Sequence, residues 1–396
     1  MGIGPFGLPG EDSLVDYLFN GFNALSHGLI GYIIPFLFVL TIVVFFHELG
    51  HFLVARWCGV RVLTFSLGFG PELFGFNDRK GTRWKVSAIP LGGYVKFFGD
   101  ESEASTPSSD ALSKMTAAER DVSFHGKSVG ARAAIVAAGP IANFLLAIVI
   151  FAALFTFFGK PNQSARVDTV QANSAAEKAG FKSGDVVVAI DGSAIENFTE
   201  MQRIVSTKAG QPLVFSVKRG DETVKLNGTP ELREIKDSFG NTHKVGVLGI
   251  TRATVPGDAV NQTVNPVSAV WLGVKETWFV AKSTVVYIGD VFTRRASADQ
   301  VGGPIRIAQI SGQVATLGLS PLIHLAAVLS VSIGLLNLFP VPLLDGGHLL
   351  FYAVEAVRGK PLSERSQELG FRVGLALVLM LMIFATYNDI LHLAGS

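Results

Sequence analysis

The chain is poor in charged residues and in cysteine, and each shortage excludes a class of protein. Aspartate, glutamate, lysine and arginine make up 16% of the 396 residues, against about 25% in a typical soluble domain. The net charge of +1 gives no basic excess that would favour nucleic acid as a partner. The single cysteine, Cys58, excludes an intrachain disulfide and a cysteine-rich zinc site. Together with 49% hydrophobic residues and a mean hydropathy of +0.41, this low charge agrees with a membrane protein.

Four apolar runs are long enough to cross a bilayer as helices, which takes about 20 residues. Their approximate ranges are 29–54, 131–158, 322–338 and 371–390. Lysine and arginine follow the first run and separate the third from the fourth, whereas residues 1–28 carry none. The positive-inside rule therefore predicts that these two loops are cytoplasmic, and that both termini and residues 159–320 lie outside. We expect no cleavable signal peptide, since no basic region precedes the first run.

The most informative motif is His47-Glu48-Leu49-Gly50-His51, near the end of the first apolar run. Histidine and glutamate are costly in hydrocarbon, so this cluster predicts a functional site. Residues four apart share a helix face, and His47 and His51 can therefore bind one metal ion. Glu48 would lie beside that ion and could take a proton from bound water, as in zinc metalloproteases. Histidines that merely pack between helices are the alternative.

A catalytic zinc usually has three protein ligands, so two histidines leave the site incomplete. The candidate third ligand is Asp345, which follows Pro340 and Pro342, two residues that cannot continue a helix. Open backbone at membrane depth is tolerated where it lines a cavity, so we expect Asp345 to project from an irregular stretch. Two alternatives remain open: Asp345 could cap a helix that starts at Gly346, or His348 could be the ligand.

Two asparagines in or beside the apolar runs need hydrogen-bond partners. Asn337 could contact the scissile peptide or make a packing hydrogen bond. Asn143 ends the segment Gly139-Pro140-Ile141-Ala142-Asn143 of the second run. Glycine and proline there permit a kink and close helix contact, so we expect a structural rather than a catalytic role for this segment.

Residues 62–99 predict a small cytoplasmic β-region after the metal-binding motif. Short strands are expected at 62–69, 84–89 and 93–98, separated by glycine, proline and asparagine turn signals. Such a sheet could present an edge to an extended substrate segment, or it could simply cover the site. Residues 100–123 are polar and predict a flexible loop.

Residues 164–252 alternate between strand and helix patterns and predict a compact α/β module. The turn signal Asp191-Gly192 follows a strand expected at 186–190, and another strand is expected at 213–219. Helices are expected at 174–179 and 198–208. The stretch 267–294 is apolar but carries Lys275, Glu276 and Lys282, which favours a helix on the outer membrane surface. A fifth span is the alternative, and it would place the C-terminus inside.

These motifs resemble the site-2 protease family of intramembrane zinc metalloproteases, in its bacterial regulator-of-sigma-E-protease branch. The resemblance covers nearly the whole chain. It implies a Zn²⁺ cofactor bound by His47, His51 and Asp345, with Glu48 as the general base and Asn337 in substrate binding. It rests on the following segments: His47-Glu48-x-x-His51, Gly139-Pro140-x-x-Asn143, Asn337-x-x-Pro340-x-Pro342-x-x-Asp345-Gly346-Gly347, Gly303-Pro304-Ile305 and Tyr387-Asn388-Asp389.

A second resemblance concerns the 164–252 module. Its segment 179–192 is similar to a PDZ domain, a type of domain that binds extended peptides by adding a strand to a sheet edge. Residues 247–250 are the candidate carboxylate-binding loop. We find one such domain, whereas some members of the family carry two in tandem.

The expected fold is a polytopic α-helical membrane protein with four transmembrane helices, a small cytoplasmic membrane-associated β-region and an inserted extracytoplasmic PDZ domain. Its parts are an N-terminal membrane part (1–158), the PDZ domain (164–252), a membrane-surface helix (256–300) and a C-terminal membrane part (301–396).

The resemblance implies an endopeptidase of the bacterial inner membrane that cuts transmembrane segments of single-span regulatory proteins, such as anti-sigma factors, after a first extracytoplasmic cut. Lipid and an extended peptide at the PDZ domain are the other expected partners. A non-catalytic scaffold would instead keep every function in the Glu48→Gln variant. A metal transporter would show metal flux and no peptide cleavage, but the spans lack a chain of polar residues for transit.

Overall fold

The computed structural model describes residues 14–100, 115–161, 164–236, 242–252, 261–293 and 302–395. The chain divides into two compact units. The first consists of Met1–Leu146 and Val301–Asp389, and the second of Ala147–Gln300 and Ile390–Ser396.

Four helices in the described part of the chain are long and apolar enough to cross a membrane. The apolar segments are Ile30–Trp57, Val129–Phe158, Leu319–Asn337 and Arg365–Leu391. They lie in helices α1 (Leu14–Trp57), α3 (Val129–Phe158), α8 (Leu319–Asn337) and α10 (Glu364–Gly395). The four predicted runs are thus confirmed as helices, with ends shifted by up to six residues, and the chain is a multi-pass membrane protein.

The β-region after α1 consists of two long strands, β1 (Val62–Asn77) and β2 (Arg83–Phe97), each of which bends back on itself. Phe65 consequently has two pairing partners, Val95 on one side and Trp84 on the other. The expectation of three short strands was incomplete, because residues 72–77 form a further arm that pairs with 83–87. Gly70, with a φ of +83°, turns the chain there without ending the pairing.

The sheet packs on the C-terminal end of α1 through aromatic rings. Phe65 is buried and stacks on Trp84 with ring centroids 4.2 Å apart, and Phe52 of α1 contacts both rings. The turn at Asp78 is fixed by an ion pair with Arg56 in the last turn of α1. Burial alone would raise the pKa of Asp78, but backbone N–H groups, Trp84 and Arg56 bind its carboxylate and lower the pKa to about 2.

The expected flexible loop at 100–123 was wrong over its last part. Helix α2 (Ala117–Val122) forms there, with a capping box in which Thr116 and Glu119 satisfy each other's backbone N–H groups. Residues 101–114 of that loop lie outside the described residues.

The 164–252 module has a four-stranded sheet in the order β6-β5-β7-β8. Its strands are β5 (Val186–Ile190), β6 (Ser193–Ala194), β7 (Leu213–Arg219) and β8 (Glu222–Gly228). Asp191 and Gly192, with φ of 49° and 80°, make the tight turn between β5 and β6, as the sequence predicts. Two helices cover the sheet, α4 (Ala175–Ala179) and α5 (Phe198–Thr207).

Smaller strands complete this second unit. They are β3 (Lys160–Pro161), β4 (Thr169–Val170), β9 (Glu231–Lys236), β10 (Thr242–Val247), β11 (Ile250–Thr251) and β12 (Asn261–Gln262). An ion pair on the buried Asp185 supports the module: its carboxylate accepts hydrogen bonds from Arg219 at 2.8 and 2.9 Å. These bonds outweigh the effect of burial and lower the pKa of Asp185.

Helix α6 (Pro266–Phe292) is not among the four candidate spans. A Cβ atom on its Gly273 would lie 2.7 Å from the carbonyl oxygen of Ile148, so α6 and the last part of α3 meet backbone to backbone. One turn further along α6, Glu276 accepts a hydrogen bond of 2.5 Å from Arg203 of α5. Within the second unit, helix α6 therefore connects the 164–252 module with the last part of α3. Its placement on the membrane surface stays a prediction.

The C-terminal part of the first unit holds α7 (Pro304–Thr316), α8, α9 (Asp345–Arg358) and α10. Asp389 of α10 is buried and accepts hydrogen bonds from the backbone N–H groups of Gly303, Ile305 and Arg306, which caps the start of α7. At the other end of α10, Gly374 contacts the backbone of Pro342. These contacts hold the last span to the segment that carries Asp345.

Candidate metal centre

Helix α1 and the first turn of α9 bring two histidines and one carboxylate together. The His47 and His51 Nε2 atoms are 3.2 Å apart. His47 Nε2 lies 3.2 Å from Asp345 Oδ2, and His51 Nε2 lies 3.6 Å from Asp345 Oδ1. Both histidines are only 9% exposed. His47 and His51 are four residues apart on α1, and Asp345 follows the break before α9. Their side chains are therefore close enough to bind one metal ion.

These three side chains fit a zinc ion. Two imidazoles and a carboxylate are a common donor set for catalytic zinc, with bonds of about 2.0–2.1 Å. Tetrahedral bonds of that length separate neighbouring ligand atoms by about 3.3 Å, close to the 3.2 Å between the two Nε2 atoms and the 3.2 Å between His47 Nε2 and Asp345 Oδ2. Among the described residues, Asp345 Oδ2 is buried and finds no hydrogen-bond partner of acceptable geometry. A cation would satisfy that oxygen and both facing Nε2 atoms.

Asp345 itself is helical, contrary to the expectation of an irregular position. Helix α9 begins at Asp345, and the residue before it, Leu344, is the N-cap. The alternative of Asp345 as a cap residue is therefore wrong, although the preceding segment is irregular and Leu343 has a φ of 120°. The other alternative, His348, is not in the group of three potential ligands within the described chain. Its ring contacts Phe371, with centroids 5.4 Å apart.

Helix α3 covers the histidines with a face made of Ile135, Gly139 and Asn143. The His51 Nδ1 atom lies 2.9 Å from the Ile135 carbonyl oxygen, and the Asn143 amide lies 3.3 Å from His47 Nδ1. A Cβ atom on Gly139 would lie 2.6 Å from His51 Cε1 and 2.9 Å from His47 Cε1. Both distances are shorter than real Cβ contacts, so the two rings have their present positions only because residue 139 is glycine.

Glu48 lies beside the metal-binding face and next to the β-region. Its Cγ atom would be 2.9 Å from a Cβ atom on Gly93, in the last arm of β2. The predicted base thus lies on α1 beside the ligand histidines and close to the backbone of β2.

Asn337 is the last residue of α8 and is half-buried. One turn before it, Gly334 contacts the backbone of α3 at Pro140 and the side chain of Asn143. Asn337 is therefore the last residue of the helix that packs on α3, which covers the histidines. Its role in substrate binding stays a prediction.

The sequence did not predict that Ile135 and Gly139 belong to this site, and the expected role of Asn143 was structural. The available signal was their spacing of four residues, which places them on one face of α3. The Ile135 carbonyl and the absent side chain of Gly139 cannot be recognised as functional from one sequence. Only the packing of α3 on α1 shows that they contact the histidines.

Comparison with known proteins gives a consistent result. The sequence profile of peptidase family M50 matches residues 35–381. "Putative zinc metalloprotease Atu1380" of Agrobacterium fabrum is 53% identical over 376 residues, covering 95% of this chain and all of that protein. "Metalloprotease MmpA" of Caulobacter vibrioides is 41% identical, covering 92% of this chain and 96% of that protein.

Solved structures also match. One of them is the PDZ domain of the SdrC-like protein from Listeria monocytogenes, with 22% identity over 23% of this chain and 86% of that chain. The TM-score of 0.18 is too low for this likeness to support a fold assignment.

Proposed function

The chain belongs to peptidase family M50 and is a zinc metalloprotease, and from this premise we propose that it cuts membrane-spanning segments of other proteins. The observation that carries the proposal is the group His47, His51 and Asp345, which forms where a membrane-length helix meets a broken one. A hydrolytic site at this position is useful only for a peptide bond that lies in or close to the bilayer.

His47, His51 and Asp345 would hold the zinc ion, which would supply Lewis-acid activation of the scissile carbonyl and of water. Glu48, next to the ligand histidines, would take a proton from the attacking water and later deliver it to the leaving amine. Asn337 donates a hydrogen bond to the scissile peptide. The burial of the histidines excludes bulk water, which strengthens these electrostatic interactions.

The β-region is proposed to hold the substrate in extended form. A helix hides its peptide bonds in internal hydrogen bonds, so a membrane segment must unwind before it is cut. The last arm of β2, residues 93–97, pairs with β1 on one edge, and the structure shows no strand on its other edge among the described residues. An unwound segment added at that edge would pass Glu48, which contacts the arm at Gly93.

The substrates are proposed to be single-span regulatory proteins, such as anti-sigma factors, that have already been cut outside the membrane. The lysine and arginine distribution supports an inner-membrane orientation with both termini and the 164–252 module outside. There a PDZ-type module would exclude uncut proteins or capture a newly formed C-terminus, with residues 247–250 as the carboxylate-binding loop. Helix α6 would then lie on the outer membrane surface.

The test is metal-dependent cleavage by the purified full-length chain in detergent, with a single-span protein as substrate. We expect removal of metal by a chelator to stop cleavage and stoichiometric zinc to restore it, because the site residues alone do not activate water. The masses of the products should show that the cut lies within the apolar segment. Cleavage that persists after complete zinc removal would contradict the proposal, as would zinc flux into liposomes without any cleavage.

A further inference from the structure

Each ligand histidine has a partner on helix α3 for the ring nitrogen that faces away from the metal-binding point. His51 Nδ1 is 2.9 Å from the Ile135 carbonyl oxygen, which can only accept a hydrogen bond. His51 Nδ1 therefore carries the proton, and its Nε2 lone pair is free for a metal ion. Metal-binding histidines usually donate their other N–H in this way, which fixes the tautomer and the orientation of the ring.

The equivalent partner of His47 is the side chain of Asn143. Its amide nitrogen is placed 3.3 Å from His47 Nδ1, and its Oδ1 atom is buried without a hydrogen-bond partner among the described residues. The oxygen and nitrogen of an asparagine amide are assigned from their hydrogen bonds. Rotation of the amide by 180° would direct Oδ1 at Nδ1 and give His47 the same tautomer as His51.

The surroundings of Asn143 hold it in place for this contact. Its side chain is completely buried, and its backbone carbonyl accepts a hydrogen bond of 2.9 Å from Ser330 of α8. A Cβ atom on Gly334 of α8 would lie 3.1 Å from the Asn143 Cβ. Because α8 contacts both the backbone carbonyl and the Cβ of Asn143, the amide is held beside the His47 ring.

We infer that Asn143 is a positioning residue, which accepts a hydrogen bond from His47 Nδ1 and so directs His47 Nε2 at the metal ion. The inference rests on the proposed metal centre. If the inference holds, one face of α3 positions both histidines. Ile135 supplies a carbonyl for His51, Asn143 supplies an amide for His47, and Gly139 leaves space for both rings. The positioning role of Asn143 replaces the purely structural role that the sequence suggested.

The test is the zinc affinity of the full-length chain in detergent, measured by competition with a chelator. Asn143→Leu keeps the side-chain volume but removes the acceptor, and we expect its zinc affinity to fall about 10–100-fold, the usual cost of losing such a partner. Asn143→Asp keeps an acceptor at the same place and should retain affinity within a few-fold of wild type. Thr156→Ala, which removes a half-buried hydrogen bond further along the same helix α3, is the control and should also retain it.

Three results would overturn the inference: wild-type affinity in Asn143→Leu, an equal loss in Asn143→Leu and Asn143→Asp, or an equal loss in Thr156→Ala. If Asn143→Leu does not give a folded chain, Asn143→Ala supplies the same comparison with Asn143→Asp. Failure of wild type to bind zinc at all would instead refute the proposed metal centre, so the two failures are distinguishable.

Discussion

The Glu48→Gln variant is expected to lose cleavage of a single-span substrate by about 10²–10⁴-fold, the contribution of a positioned general base, while its zinc content stays that of wild type. Glutamine keeps the shape of the side chain, and so the contact of Glu48 with Gly93 of β2 is preserved. It cannot accept the proton of the attacking water. The measurement is the initial rate of product formation, with bound zinc determined on the same preparations.

The separation of the two readouts is what makes this variant informative. Loss of zinc together with cleavage would show that Glu48 supports the site rather than the chemistry. Undiminished cleavage would show that another group is the base, and unchanged function of every kind would favour the scaffold alternative.

The Gly139→Ala variant is expected to lose both zinc and cleavage although its fold is retained. The new Cβ atom would lie 2.6 Å from His51 Cε1 and 2.9 Å from His47 Cε1, so both rings must move away from their present positions. A displacement of about 1 Å in a catalytic group can cost about 10²-fold in rate, and we expect at least that loss. The measurements are zinc content, cleavage rate and the thermal unfolding temperature.

Gly130→Ala is the matched control for this change. It lies on the same helix, and a Cβ atom there would have no neighbour within 4 Å. Alanine also favours a helix over glycine by about 1 kcal/mol, so the control should be as stable as wild type or more stable, with normal zinc and cleavage. Equal behaviour of the two variants would contradict the role assigned to Gly139.

A structural feature could be predicted from the sequence when the residues that form it are close together in the chain. The spans follow from apolar length alone, and the pairing of His47 with His51 follows from helix geometry within one turn. The meeting of Asp345 with those histidines joins segments almost 300 residues apart. The prolines before Asp345 made it a candidate beside His348, and the resemblance to a known family implied that it is the ligand. Local patterns contain no information on such a contact.

Local patterns also misled in two places, for physical reasons. Gly70-Pro71 signals the end of a strand, but the chain turned there and paired again, which produced the unexpected arm 72–77. The prolines before Asp345 indicated irregular backbone, yet helix α9 starts at Asp345 itself. Its glycines at 346 and 347 pack against the backbone of the preceding segment, at Leu338 and Val341, which positions the carboxylate at the histidines.

The most direct test of the proposed site is the zinc content of the purified chain, measured by elemental analysis for wild type and for Asp345→Ala. Three ligands from two separate segments should hold one zinc ion per chain in wild type, and removal of the carboxylate should leave close to none after dialysis. Full zinc occupancy in Asp345→Ala, or none in wild type, would contradict the assignment of His47, His51 and Asp345 as the metal centre.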